Sequence, residues 1–293
     1  MKKIVCFGEV LWDNFKTGKK PGGAPMNVAL HLFRNAIHSK VVSSIGKDLN
    51  GTEIINFLQS QGMSTDLVQI HPTLSTGIVE VHLDENQQAT YTIVHPVSWD
   101  AIEYTPQLEQ EVRQADALLF GSLASRSAIS RQTLYKLLPA AKLKILDLNL
   151  RPPHFENTNL KKLISHCDIL KLNEDELTYI GDLYQISEKD QEQCLSKLAA
   201  LTSLQTICVT LGDKGAMLYH QQKLYKHSGF KVNVADTVGA GDAFLATFLS
   251  GFLKQLPMDE NLARACAAGA LVASRTGANP DYSMEDIDYI ISA

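Results

Sequence analysis

Short, continuous apolar runs alternate with segments of helical period along most of the chain. "IVCFGEVL" precedes a helix predicted from about residue 25 to 35, and "KVVSSIG" precedes one near 52–61. Then come "ALLFGS", a helix around 130–141, "KILDLNL", a helix near 160–166, "DILKLN" and "QTICVTLG". Two long helices follow, at about 240–254 and 259–274. Continuous apolar strands alternating with helices predict an α/β protein whose mostly parallel sheet is covered on both faces.

One section breaks the rhythm. "GIVEVHLDENQQATYTIVHPV", residues 77–97, alternates apolar and polar positions on either side of a polar turn at Asp84–Gln88. It predicts a small antiparallel insertion, a flap or a dimerisation surface. With no internal repeat and no Pro/Gly-rich linker, the chain is expected to form a single domain with a small lid. Phe244, Phe248 and Phe252 recur at helical spacing beside Leu245, Leu249 and Leu253, so the helix from about 240 is expected to be buried.

Composition narrows the partners. The 293 residues are 45% hydrophobic and 20% charged, with a formal net charge of −5 and no long block of one sign. Nucleic acid and membrane surfaces are therefore not expected partners. No apolar run approaches the roughly 20 residues that span a bilayer. "MKKIVCFGEVLWD" carries Glu9 and Asp13 where a secretory leader is apolar, so none is read. The five cysteines lack C-x-x-C spacing, which predicts inert thiols in a reducing cytoplasm. The histidines form no zinc-binding pair.

Five segments could carry chemistry. "ADTVGAGDAFLATFLSGF" places Gly239, Ala240, Gly241 and Asp242 at a helix N-terminus, where backbone N–H groups welcome an anion. Asp242 is either an acid stabilising its helix or a base beside a transferring phosphoryl group. "GGAPMNVALHL" offers Gly22, Gly23 and Asn27 as an ordinary helix start or as contacts for a polyhydroxylated ligand, with Asp13 as a further acceptor. In "KILDLNLRPPHF", Asp147, Asn149 and Arg151 share one strand face, either as a ligand edge or as an Asp147–Arg151 salt bridge. In "LKLNEDEL", Asn173 and Glu176 fit a capping box or a magnesium site, with Lys171 within reach of a phosphate. "VTLGDKGAMLYH" supplies Thr210, Gly212 and Gly215, a hairpin or a nucleotide contact.

In this order, the segments resemble the ribokinase-like, or PfkB, carbohydrate kinases, from "FGEVLWD" to "SRTGANP". "GGAPMNVA" and "DTVGAGDAF" are similar to the family's two signatures, and "SIGKDLNG" to a third segment. "LDLNLRPPHF" and "GGAP" look most like fructokinases. The resemblance implies a ribokinase-like fold with a β-lid at about residues 10–20 and 77–99, often a dimer interface. It implies Asp242 as catalytic base, with Gly239, Ala240 and Gly241 as anion hole. Asp13, Gly22, Gly23, Asn27 and Arg151 would contact the sugar. Lys171, Asn173, Thr210, Gly212 and Gly215 would serve ATP, Asn173 and Glu176 would handle Mg²⁺, and Asp236, Val238 and Gly277 would hold a monovalent cation such as K⁺.

The implied activity is ATP-dependent phosphorylation of a ketose, fructose first. Ribokinase, 2-keto-3-deoxygluconate kinase and nucleoside kinase are the alternatives within the family. A catalytically silent sugar- or nucleotide-binding regulator is the alternative outside the enzyme class. Two departures from the fructokinase pattern bear on the sugar. Met26 replaces a smaller residue, and "VHPVSWD", with His95 and Trp99, replaces the usual lid text.

Overall fold

The computed structural model describes residues 1–15, 18–83 and 89–292. The N-terminal part runs β1 (Lys3–Phe7), β2 (Leu11–Phe15), β3 (Gly18–Gly22), α1 (Ala24–Arg34), β4 (His38–Gly46), α2 (Leu49–Ser60), β5 (Val68–His71), β6 (Gly77–Leu83) and β7 (Ala89–Ile93). The middle runs α3 (Pro106–Gln114), β8 (Ala117–Gly121), α4 (Ala128–Leu137), β9 (Lys144–Asp147), α5 (Asn157–His166), β10 (Ile169–Asn173), α6 (Glu174–Leu183) and α7 (Gln191–Thr202). The rest comprises β11 (Thr206–Thr210), β12 (Ala216–His220), β13 (Lys223–His227), α8 (Ala240–Leu253), α9 (Met258–Ala273) and α10 (Met284–Ser292).

Nine strands form one sheet in the order β5-β4-β1-β8-β9-β10-β11-β12-β13. The strands from β5 to β11 are parallel, and β12 and β13 add an antiparallel edge. Alternate residues of each buried strand feed two cores. Val5 and Phe7 of β1 join the side chains of α3 to α7, while Ile4 and Cys6 join those of α1, α2, α8 and α9. Both faces are covered, which is why these strands lack polar alternation. The chain leaves β1 toward β4 and β5, then returns to β8 on the other side. The strand order therefore reverses between β1 and β8, and ligands of such sheets gather beyond the carboxyl ends there.

The lid has four strands, in the order β3-β2-β6-β7. β2 and β6 run parallel at its centre, and the outer pairs are antiparallel. Trp12 anchors it to the main body, donating Nε1–H to the Asn50 carbonyl at 2.9 Å. The turn expected at 84–88 lies outside the described residues.

Two expected boundaries move. The helix expected at 130–141 ends at Leu137 and tightens into a 3₁₀ turn at Leu138–Ala140, because Pro139 has no N–H to continue it. The strand "KILDLNL" stops at Asp147, since Asn149 takes a left-handed φ of 42°. Among the described residues, no helix is long and apolar enough to cross a membrane.

Candidate active site

Asp242 stands in the first turn of α8, but the helix is capped by Gly239 and no side chain makes the cap hydrogen bond. Gly239 has a φ of 80°, and a Cβ there would lie 2.4 Å from the Ala278 carbonyl oxygen, so only glycine fits. The N–H groups of Gly239 and Gly241 have no acceptor among the described residues, whereas Ala240 N–H faces the Thr237 carbonyl at 3.3 Å. Of the three amides expected to form an anion hole, two are thus free.

The Asp242 carboxylate accepts a hydrogen bond from Asn27 Nδ2 at 2.8 Å. Asn27 lies in the first turn of α1, and its Oδ1 accepts in turn from Asn279 Nδ2 at 2.7 Å. The second bond fixes which way the Asn27 amide faces. One turn along α1, His31 locks the same loop. Its ring nitrogens lie 3.0 Å from the Ala278 carbonyl and 2.9 Å from the Tyr282 hydroxyl. Burial lowers the His31 pKa to about 4, so the neutral ring donates Nε2–H to Ala278 and accepts from Tyr282.

The charges around Asp242 are tightly grouped. β10 delivers Lys171, which is 7% exposed, directly opposite Asp147 of β9. Its ammonium lies 3.1 Å from Asp147 Oδ1. Burial alone would lower the Lys171 pKa, but the carboxylates of Asp147, Glu176 and Asp242 outweigh it and hold the cation above its ordinary value. The ammonium also lies 3.4 Å from where a Cβ on Gly241 would stand, against the first turn of α8. Asp242 is pushed up to about 7, first by burial and then by Asp147, against the Asn27 amide, Lys171 and Arg151. A carboxyl poised there can exchange a proton near neutral pH.

Asp147 does not pair with Arg151, the bridge the strand alternation allowed. The strand ends at Asp147, so the shared face is lost. Arg151 is exposed and donates to its neighbour's Leu150 carbonyl at 3.0 Å. Its charge still reaches Asp13, Glu9 and Asp242.

Asn173 and Glu176 close a capping box. Asn173 Oδ1 accepts from Glu176 N–H at 2.8 Å, and Glu176 Oε2 accepts from Asn173 N–H at 2.9 Å. Glu176 Oε1 takes Leu150 N–H at 2.7 Å. With both oxygens engaged, Glu176 could reach a metal ion through water. Asn173 pairs in register with Thr210 of β11, whose hydroxyl faces the Leu172 carbonyl at 3.4 Å. Lys171, Asn173 and Thr210 therefore share one edge of the sheet. Gly212 and Gly215 lie in the adjoining turn, both at positive φ.

On the lid side, Asp13 of β2 lies over Gly22 of β3, where a Cβ would come 2.4 Å from Asp13 Oδ2. Burial pushes Asp13 up to about 6, against the opposing charge of Arg151. Gly23 follows at the N-terminus of α1. Asp236 ties two loops, accepting from Val238 N–H at 3.1 Å and Gly277 N–H at 3.0 Å. One carboxylate among backbone groups suits a singly charged cation better than a divalent one. Among the described residues no cluster of three metal-ligating side chains exists.

Two expected specificity positions are core residues. Met26 is fully buried among Val10, Trp12 and Leu30, and Trp99 is likewise at 0% exposure. Two residues at the site were given no role from sequence: Asn279 and Glu9. Glu9 is buried just beyond β1 and pushed up to about 7 by that burial. "TGANP" contained Asn279, but nothing in its spacing pointed to Asn27.

The chain matches the pfkB family of carbohydrate kinases over residues 1–285. It is 29% identical to a probable fructokinase-5 of Arabidopsis thaliana over 94% of this chain and 93% of that protein. A fructokinase of Xylella fastidiosa superposes with a TM-score of 0.86 at 24% identity, covering 99% of this chain and 98% of that one. A sugar kinase of Pyrococcus horikoshii superposes at 0.82 with 25% identity, covering 99% and 100%. A parallel sheet with a β-lid, a glycine-opened helix carrying Asp242, and a family match across nearly the whole length agree: the chain belongs to the pfkB family of carbohydrate kinases.

Proposed function

We propose that this sugar kinase transfers the γ-phosphoryl group of ATP to a primary hydroxyl of a ketose, with fructose the foremost acceptor and Asp242 the base. The observation that carries the reading is the 2.8 Å bond from Asn27 to Asp242, which joins the sugar-side signature to the phosphoryl-side signature. Asp242 takes the proton as the hydroxyl oxygen attacks the γ-phosphorus, and the bond from that phosphorus to the bridging oxygen of ADP breaks. The free N–H groups of Gly239 and Gly241 and the ammonium of Lys171 stabilise the charge on the transferring group. Asp13, Gly22, Gly23, Asn27 and Arg151 hold the sugar, while Thr210, Gly212 and Gly215 hold the nucleotide. Asn173 and Glu176 would hold Mg²⁺ through water, and the ion would supply positive charge against the phosphates. Asp236, Val238 and Gly277 would hold a monovalent cation such as K⁺.

The relatives' names support fructose. Besides the Arabidopsis protein, a fructokinase-2 of Solanum lycopersicum is 27% identical over 94% of this chain. A Vibrio cholerae fructokinase described with fructose, ADP and potassium bound has a TM-score of 0.82 at 21% identity. An aminoimidazole riboside kinase of Salmonella enterica reaches 0.81 at 21%, so the fold by itself does not select the acceptor.

The chain forms one domain with its lid, and the lid pairs two copies into a homodimer. Its five buried free cysteines suit a reducing cytoplasm. The test is ADP release with Mg-ATP across fructose, ribose, 2-keto-3-deoxygluconate, tagatose and adenosine. Fast release with fructose alone supports the reading. Release with another acceptor replaces the sugar, and no release with any acceptor removes the catalytic assignment.

A further inference from the structure

A cavity of about 180 Å³ opens between the exit of the lid and the loops after β8 and β9. His95, Ser125, Arg126, Arg131, His154 and Glu156 form most of its wall; of the residues given a role above, only His95, expected from the sequence to bear on the sugar, lines it. The volume equals that of about six waters at roughly 30 Å³ each, enough for a small charged group with a few carbons.

Arg126 is the built part of this wall. Its side chain is 4% exposed, and Asp100 takes Nε and Nη2 at 2.7 and 2.8 Å. Nη2 also donates to the Val94 carbonyl at 2.7 Å, and the guanidinium lies 4.0 Å from the Trp99 ring centre. These contacts leave Nη1, whose neighbour is His154 Nδ1 at 3.5 Å, too long for a strong bond. A buried cation is thus clamped by Asp100 and the Val94 carbonyl, with Nη1 at the cavity wall held only by the long contact to His154. Arg131, on α4, has no side-chain hydrogen bond or ion pair among the described residues. The His154 pKa is lowered first by burial and then by the charges of Arg126 and His95, against Asp100.

We propose that this cavity is an anion-binding site that takes the phosphate or carboxylate of a small organic molecule. Arg126 supplies fixed donors and Arg131 a second fork from the rim, the geometry that planar oxyanions favour. Glu156 offers one acceptor to a ligand hydroxyl and disfavours polyanions. The site stands whether or not Asp242 is the catalytic base. The anion belongs either to the acceptor's own far end or to a separate effector.

Calorimetric titration of the full chain, with its nucleotide site filled by Mg²⁺ and a non-hydrolysable ATP analogue, tests the proposal. The probes are inorganic phosphate and glycerate, with glycerol as the uncharged control. Saturable binding of either anion, weakened at least about 10-fold in Arg131→Ala/His154→Ala and unchanged in Asp242→Asn, is the expected result. That double variant spares the Arg126–Asp100 pair. Should it unfold, Arg131→Gln at the rim is expected to weaken binding by about threefold. Mutual exclusion with the acceptor sugar assigns the anion to the acceptor, and independent binding assigns it to an effector. Absence of saturable binding, equal binding of glycerol, or undiminished affinity in the folded variant overturns the site.

Discussion

Asn27 and Asp242 are 215 positions apart in the chain and 2.8 Å apart in the fold. The amide both aims the carboxylate and favours its ionised form, since its hydrogen bond pulls the Asp242 pKa down against burial. Asn27→Leu removes that pull while keeping an apolar shape of similar size. We expect kcat to fall by roughly 10- to 100-fold and the acidic limb of the pH–rate profile to move upward from about 7. A lower kcat with an unmoved limb would show that Asn27 acts on the sugar alone.

The same raised pKa has a cost in stability. Asp242 rises from 3.8 to about 7 on folding, so the folded chain holds this proton more tightly than the unfolded one. Stability is then fully present below the unfolded value and declines as pH rises toward about 7. Glu9, also raised to about 7, acts in the same direction. Asp242→Asn removes one such carboxylate. Calorimetry should show its melting midpoint roughly 2–4 °C above wild type near pH 8, with the gap closed near pH 4.

Lys171 is the sole countercharge in contact with buried Asp147 among the described residues. Lys171→Met strands that carboxylate and should cost about 3–5 kcal/mol in denaturant unfolding. Lys171→Met/Asp147→Leu should recover most of the stability without recovering phosphoryl transfer. Recovery of both would make Lys171 a purely structural cation.

Gly239 and Gly241 separate fold from chemistry. Gly239→Ala forces a methyl to within 2.4 Å of the Ala278 oxygen at a φ of 80°, so unfolding should come earlier by about 1–3 kcal/mol. At Gly241 the new methyl meets Lys171 Nζ at an ordinary 3.4 Å in a helical turn. Gly241→Ala should therefore fold at least as well as wild type yet lose kcat, because the methyl crowds the space beside the ammonium. Wild-type kcat in Gly241→Ala would remove that space from the phosphoryl path.

The layered fold was legible because buried parallel strands must be apolar on both faces, as in "IVCF" and "ALLF". The lid was only half legible. β6 and β7 alternate, but the central strand β2 carries Asp13 and Asn14 and the edge strand β3 carries Lys19, Lys20 and Pro21, all weak as a strand signal. Helices α3, α6, α7 and α10 are polar on much of their surface, and of their caps only that of α6, Asn173 with Glu176, was legible. At the site, Asn27 and Asp242 were each visible as candidates, but their bond is tertiary. Lys171 took the partner of Asp147 that alternation had offered to Arg151, because cross-strand register places Lys171 opposite and Asn149 turns the chain away.

The most direct test is single-turnover ADP formation with Mg-ATP and saturating acceptor, comparing wild type with Asp242→Asn at matched folding. The expected fall is about 10²- to 10⁴-fold, the scale of a lost general base, with acceptor and nucleotide affinity within a few-fold of wild type. A variant within about tenfold of the wild-type rate, folded and binding both substrates, would contradict the assignment of Asp242 as the base.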